Sequence, residues 1–426
     1  MISSGNAKPV MCNAIMPGQE RDDLSEQQAL SPHDFQPIQS QTLNGTRKLR
    51  VALIASSYNY IRDGVALTLN RLVEYLERNG VEVLVFAPVA KAPALAHNGT
   101  IVPVRSLPLP FRPEYRVALG VPRGVRKRMQ EFNPDIIHLT SPDILGYSAL
   151  KLALKWKIPV VASYHTRFET YFEHYGVAAL RTPFAKYLRR FYGMCSELYV
   201  PSASMAEVLA AEGVHTKIRL WSRGVDTCLF HPNKRSQGWR SKMGIGPDEL
   251  VVAFVGRLVR EKRLGTLVKT FQGLREARVT HRSLIVGEGP EESVLRKQLP
   301  DGVFTGALEG EDLARAYASA DIFLFPSDTE SFGNVTLEAM ASGLPSVCAD
   351  ATGSRSLVDV GATGFLGKAE SPETFIEHVR TLAKDAGLRQ RMGIAARERS
   401  LRTSWDDVMG QILGYYKNFL ADPTGT

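Results

Sequence analysis

Two glutamates, Glu330 and Glu338, stand with seven residues between them in a segment whose residue order suits a sugar phosphate. An apolar run at 322–325 leads into the polar stretch Ser327-Asp328-Thr329-Glu330-Ser331-Phe332-Gly333, then into a helix-forming segment that closes on Gly343. That order puts Glu330 in a loop at the carboxyl end of a strand and Glu338 about one turn into the following helix. Free N–H groups at a helix start accept a phosphate, and two carboxylates beside them accept hydroxyls. Taken alone, the spacing is equally that of two solvated glutamates at an ordinary strand–helix junction.

A second segment adds cations. The buried-strand pattern at 250–255 is followed by Gly256-Arg257-Leu258-Val259-Arg260-Glu261-Lys262. Gly256 allows a sharp turn, and Arg257 and Lys262 follow it, one able to bind a pyrophosphate bidentately and the other as a point charge. Any single Lys or Arg is more often a solvated surface charge. This loop and the glutamate pair lie about 70 residues apart with strand–helix alternation between them, so in a doubly wound sheet both open onto one crevice.

With Ser222-Arg223-Gly224-Val225-Asp226 upstream, these motifs resemble the retaining glycosyltransferases of family 4, which have the GT-B fold; the likeness runs from about residue 49 to 416. Asp63-Gly64-Val65 and Ser163-Tyr164-His165-Thr166 resemble the branch holding sulfoquinovosyl-diacylglycerol synthase and GDP-mannose-dependent mannosyltransferases. The resemblance implies a role for each matching position. Glu338 would hold the nucleotide ribose and Glu330 a hydroxyl of the donor sugar. Backbone amides of Phe332, Gly333, Asn334 and Val335 would line the sugar and diphosphate, which Arg257 and Lys262 would neutralise. His165, at the end of the strand expected at 160–164, would hydrogen-bond the donor sugar. Gly64 would let the backbone approach phosphate and acceptor. Where many relatives carry a double glycine this chain has Asp63-Gly64, which leaves the contacts of that loop open. Retention and front-face substitution, with the leaving phosphate accepting the acceptor's proton, are likewise implied by the resemblance. His138 also closes a strand, but its apolar neighbours favour core packing.

The elements that must position these residues are two successive strand–helix alternations. Apolar runs at 49–55, 81–87, 135–139, 160–164 and 197–201 form the first; runs at 250–255, 283–286, 303–305, 322–325, 346–349 and 364–367 form the second. Short continuous apolar runs belong to parallel sheets buried on both faces. The expectation is an α/β protein of two doubly wound, Rossmann-like domains: 47–225, the acceptor-binding half by resemblance, and 226–404, the nucleotide-sugar half. An aromatic-rich helix at 405–420 would cross back to the first. Residues 1–46, rich in Ser, Gln, Asn and Pro, read as a disordered tail without a secretory signal.

Composition narrows the class. A chain of 426 residues with 44% hydrophobic and 23% charged residues reads as a soluble globular protein of two domains. Four scattered cysteines (Cys12, Cys195, Cys228 and Cys348) form no zinc or disulfide pattern, which favours a cytoplasmic setting. Asp-x-Asp is absent, so no metal site and no cofactor are expected, the donor being a UDP- or GDP-sugar. The sequence Val286-Gly287-Glu288-Gly289 starts like a dinucleotide fingerprint, but Glu292 replaces its third glycine. Base selection would fall to the loops at 286–289 and 305–308. The net charge of +8 is uneven: Arg112, Arg116, Arg123, Arg126, Lys127 and Arg128 face one acid, Glu114, and 181–192 mixes cations with aromatics. Such runs are usually solvated helix faces; here they also suit docking on an anionic membrane surface beside a lipid-linked acceptor. No nucleic-acid module accompanies them. A soluble acceptor, a sugar-nucleotide epimerase and a non-catalytic scaffold are the competing readings. A glycosidase-like carboxylate pair fits poorly, because both glutamates belong to one junction.

Overall fold

Parallel strands flanked by helices dominate the structure, a computed structural model that describes residues 47–109, 112–165 and 181–421. The expected tail, Cys12, Thr166 and the side chains of Arg112 and Arg181 lie outside the described residues. The first sheet holds β1 (Arg50–Ile54), β2 (Glu82–Pro88), β3 (Thr100–Val104), β6 (Ile136–Leu139), β7 (Val160–Ser163), β8 (Glu197–Val200) and β9 (Lys217–Leu220). Its order is β3-β2-β1-β6-β7-β8-β9, all parallel. A separate antiparallel hairpin pairs β4 (Ser106–Leu109) with β5 (Arg112–Ala118). The second sheet holds β10 (Val251–Val255), β11 (Arg282–Val286), β12 (Val303–Gly306), β13 (Ile322–Phe325), β14 (Ser346–Ala349) and β15 (Gly364–Gly367), in the order β12-β11-β10-β13-β14-β15.

The apolar runs become strands because both faces are covered: every residue of β6, β7, β10 and β13 is buried. Four strands had no counterpart in the apolar pattern. Edge strand β9 reads Lys-Ile-Arg-Leu and keeps its ends exposed, while β3, β4 and β5 each contain proline. Edge positions tolerate both features, which hides them from a search for continuous apolar runs.

The first sheet has a core on each side. One joins β1 and β2 to Leu69, Leu72 and Leu76 of the helix Gly64–Arg78 and to Val408, Met409, Ile412 and Tyr416 of the C-terminal helix Trp405–Ala421. The other takes in Leu188, Phe191 and Tyr192 of the helix Arg181–Gly193. Of the aromatics in that basic run, Phe191 and Tyr192 are core residues and Phe184 and Tyr187 pack half-buried against them, while the cations Lys186, Arg189 and Arg190 are exposed. From Val225 onward, Val225, Phe230 and Trp239 belong to the core of the second sheet.

In each sheet the strand order reverses once, and a crevice opens there beyond the carboxyl ends of the two strands. In the second sheet the reversal falls between β10 and β13. The loops that leave those two strands carry Arg257 and Lys262 on one side and Glu330 on the other. In the first sheet it falls between β1 and β6. There Ser56, from the loop after β1, hydrogen-bonds Asp143, from the loop after β6.

Candidate active site

The two loops at the second reversal are bound to each other. Lys262 ends a single 3-10 turn, Arg260–Lys262, and its ammonium contacts the Glu330 carboxylate; both side chains are one-fifth exposed. The same ammonium lies 5.8 Å from the centre of the Phe325 ring. Arg263 clamps Asp328 beside this pair, with Nε 3.1 Å from both carboxylate oxygens and a terminal nitrogen 2.7 Å from one. A bidentate pair of this kind fixes direction as well as distance.

Below Glu330 the backbone is pinned. Its carbonyl accepts from the Gly353 amide at 3.1 Å and from Thr352 Oγ1 at 3.0 Å. A Cβ on Gly353 would stand 2.6 Å from the Phe332 carbonyl oxygen and 2.9 Å from that of Glu330, so only glycine allows this approach. The helix Asn334–Ala341 starts at Gly333, whose φ of 98° lies in the left-handed region that glycine occupies freely. No side chain caps that start. Phe332 is buried; Asn334 and Val335 are half-buried at the helix mouth.

Glu338, on the first turns of that helix, has a different environment. Tyr317 places its hydroxyl 3.0 Å from Glu338 Oε2 and 3.1 Å from the Val335 carbonyl oxygen. Burial raises the Glu338 carboxyl to about 7, against the smaller opposing effects of the Tyr317 hydrogen bond and the Arg71 charge. A carboxyl poised there takes the hydrogen bonds of hydroxyl groups well once ionised.

Across the cleft the first half answers residue by residue. Gly64 is the first residue of its helix rather than a loop glycine, with Asp63 capping through a 2.8 Å bond from the Ala66 amide. A Cβ on Gly64 would meet Asn334 Nδ2 at 3.4 Å, an ordinary contact distance, so Gly64 faces the second half closely without the space itself demanding glycine. Arg257 is exposed, with Nη1 3.5 Å from the Tyr115 hydroxyl on β5. Its charge also opposes the burial that raises the Asp63 carboxyl. Arg62 pairs with Glu309 at 3.0 Å, and Ser204 Oγ reaches the Thr352 carbonyl oxygen at 2.5 Å.

His165 follows β7 and joins both halves: its carbonyl oxygen accepts from Ser331 Oγ at 2.8 Å. Arg223 lies 2.8 Å from its Nδ1, and the edge of Trp221 lies against its ring, 5.2 Å between centroids. Burial, with the Arg223 charge second, holds the imidazole well below its ordinary range, so it is neutral. His138 is a core residue, as its apolar neighbours suggest, bonded to Tyr416 Oη at 2.5 Å and Ser163 Oγ at 2.6 Å.

The structure thus brings Lys262 onto Glu330, the His165 carbonyl onto Ser331, Gly64 opposite Asn334 and Arg257 near Tyr115, while the Glu338 carboxylate is held by Tyr317 of its own half. The sequence reading missed the Arg263–Asp328 clamp, Thr352 and Gly353, Tyr317 and Arg71, and it quoted Arg223 within a motif without giving it a role. Arg263 and Asp328 adjoin Lys262 and Thr329 in sequence, but nothing in either segment announces that they pair. The glycines of the false dinucleotide motif have a packing use: a Cβ on Gly287 would lie 2.0 Å from the Gly256 carbonyl oxygen, and one on Gly289 2.4 Å from that of Leu258. Among the described residues no cluster of three His, Cys, Asp or Glu side chains could hold a metal.

Comparison with known proteins gives two adjoining family matches. Residues 62–228 match the model described as Glycosyltransferase Family 4, and residues 236–399 that described as Glycosyl transferases group 1. The sulfoquinovosyl transferase SQD2 of Arabidopsis thaliana is 33% identical over 86% of this chain and 73% of its own length. A GDP-mannose-dependent alpha-mannosyltransferase of Corynebacterium glutamicum is 34% identical over 88% and 90%. An alpha-monoglucosyldiacylglycerol synthase of Acholeplasma laidlawii is 27% identical over 79% and 92%. Among solved structures, sucrose-phosphate synthase from Thermosynechococcus elongatus superposes with a TM-score of 0.74 at 20% identity, covering 88% of this chain and 100% of that one.

Proposed function

The chain belongs to glycosyltransferase family 4, with the GT-B fold, and on that premise we propose that it moves a hexosyl group from a UDP- or GDP-sugar to a lipid-linked acceptor with retention. The observation that carries this reading is the junction of the β10 and β13 loops. Lys262 contacts Glu330 there, Arg257 is exposed on the same loop as Lys262, and an uncapped helix start follows Glu330; a diphosphate would lie among them, with Glu330 and Glu338 taking hydroxyls. Donors aimed at a developing charge are worth roughly 3–4 kcal/mol each when removed singly. Here Lys262 and Arg257 would meet the charge of the leaving nucleoside diphosphate, and the amides of residues 333–335 would add the helix-start dipole. In the free enzyme Glu330 neutralises Lys262; a bound donor would take both, its phosphate on the ammonium and a sugar hydroxyl on the carboxylate. The leaving phosphate oxygen would accept the acceptor's proton on the same face, so no side chain is needed as base. The cations supply the charge that a bridging metal supplies elsewhere, and the reaction we propose is metal-independent, with no cofactor.

The lipid part rests on the relatives' products and on the first half's surface. A groove of about 610 Å³, lined by Pro103, Val104, Leu107, Leu119, Val121 and Pro122, opens beside Arg105 and Arg116. Leu107 and Leu119 are 59% and 70% exposed there. Next to it, Arg123, Lys127 and Arg128 are exposed on the helix Arg123–Phe132, which buries Val125 and Met129. Apolar rim residues beside cations suit a headgroup layer. Among the described residues no helix is long and apolar enough to cross a membrane, and we place the enzyme peripherally on the inner face of the cell membrane. The test offers purified protein a panel of UDP- and GDP-sugars with and without lipid extract and scores nucleoside-diphosphate release. Release that depends on one donor and on lipid supports the reading. Lipid-independent transfer points to a soluble acceptor, and release from no donor refutes the proposal.

A further inference from the structure

Arg223 is buried, yet no carboxylate pairs with it among the described residues. One terminal nitrogen donates to the Trp221 carbonyl oxygen at 2.9 Å and the Ser222 carbonyl oxygen at 3.1 Å, while the guanidinium lies 5.2 Å from the Trp221 ring centre. The other terminal nitrogen sits 2.8 Å from His165 Nδ1. Its backbone is fixed by the following residues: a Cβ on Gly224 would stand 2.6 Å from the Trp405 backbone, and the Val225 amide donates to Thr403 at 3.1 Å. Arginine only donates hydrogen bonds. Nδ1 must therefore present its lone pair, and in a neutral ring the one proton is on Nε2. That Nε2 is buried without a partner among the described residues. A buried donor left unsatisfied is costly, so its position asks for an acceptor in the occupied site.

We infer that Arg223 is a positioning residue for His165, locking the imidazole as the Nε2–H tautomer so that it donates a hydrogen bond to an oxygen of the bound sugar nucleotide and is barred from acting as a base. The inference rests on the proposed glycosyl transfer for the identity of that oxygen; the tautomer rests on the geometry alone. The ionisable groups facing His165 are Arg223 from the 221–223 segment and His138 from β6, while the second half presents Ser331, with the Lys262–Glu330 pair next to it. Neither cation nor burial favours a second proton on the ring, so His165 keeps one form across neutral pH.

The experiment combines imidazole ¹⁵N spectra of the ligand-free protein with donor kinetics on R223M, R223K, H165A and R223M/H165A. In the wild type, His165 should show an unprotonated Nδ1 and a protonated Nε2 that do not titrate between pH 5 and 8. R223M should mix the tautomers, whereas R223K, which keeps a donor, should hold the wild-type pattern. R223M should lower kcat/KM for the donor about as much as H165A, roughly 10- to 100-fold for a lost hydrogen bond, with no further loss in the double variant. A protonated Nδ1 in the wild type, an unchanged tautomer in R223M, or fully additive losses would each overturn the inference. Should R223M fail to fold, the wild-type and R223K spectra still decide the tautomer. A wild type that transfers from no donor refutes the proposed function, while the spectra still judge Arg223.

Discussion

Replacing Glu338 by glutamine should stabilise the ligand-free protein at high pH while damaging transfer. The carboxyl is raised from its ordinary 4.5 to about 7 chiefly by burial. The fold therefore holds this proton more tightly than the unfolded chain does, and wild-type stability falls as pH rises from about 4.5 through 7. At about 1.4 kcal/mol per pH unit that interval caps the loss at roughly 3.5 kcal/mol. Partial exposure of Glu338 screens the charge and takes the figure towards about 1–2 kcal/mol. Glutamine has the same shape without the ionisation, so E338Q should match wild type at pH 5 and unfold later than it at pH 8.5. Thermal and urea unfolding across that range, with the difference levelling off above pH 7, is the measurement. Its kcat/KM for the donor should drop about 10- to 100-fold if, as proposed, Glu338 takes a donor hydroxyl, because a charge-assisted bond is worth about 1.5–3 kcal/mol. Stability gained together with activity lost marks a group kept for function. An E338Q protein that is less stable at pH 8.5, or that transfers like wild type, would refute the reasoning.

Removing the Lys262 ammonium in K262A should cost transfer about 10²- to 10³-fold, the scale of one lost charge-stabilising donor, with the far-ultraviolet dichroism unchanged; wild-type turnover in the folded variant would unseat Lys262. In G353A the added Cβ collides with the Phe332 and Glu330 carbonyl oxygens, so we expect a loss of about 1–3 kcal/mol in unfolding experiments and a raised donor KM. Transfer should persist in EDTA; a complete loss restored by divalent metal contradicts the metal-independent mechanism. Finally, the protein should co-sediment with anionic and not neutral vesicles, less so at raised salt and after Arg123, Arg126, Lys127 and Arg128 are all changed to Glu. Each cation near such a surface contributes about 1 kcal/mol, and screening acts beyond ~8–10 Å at physiological ionic strength. Equal binding to neutral vesicles leaves the run a solvated face.

The sequence by itself determined the two-sheet α/β architecture, because a parallel strand buried on both faces must be a short continuous apolar run, as in Val251–Val255 and Ile322–Phe325. It also marked two loops as candidates: Gly256 to Lys262 and Ser327 to Gly333 break those runs with glycine, cations and acids. Local pattern could not show that β10 and β13 are neighbours, since strand order is a long-range choice, and that choice brings Lys262 onto Glu330. Nor could it separate core aromatics from surface ones in the helix Arg181–Gly193, where cations and rings alternate and only packing assigns the rings inward. The Arg223–His165 contact joins residues 58 positions apart, and the Arg263–Asp328 clamp residues 65 apart. An arginine carries no sequence mark of the partner it will meet. Burial, which neutralises His165 and lifts Glu338 to about 7, is a property of the assembled surroundings and not of the residue. Tertiary structure alone decided those charges, because the cost of a charge depends on how much water the fold leaves around it.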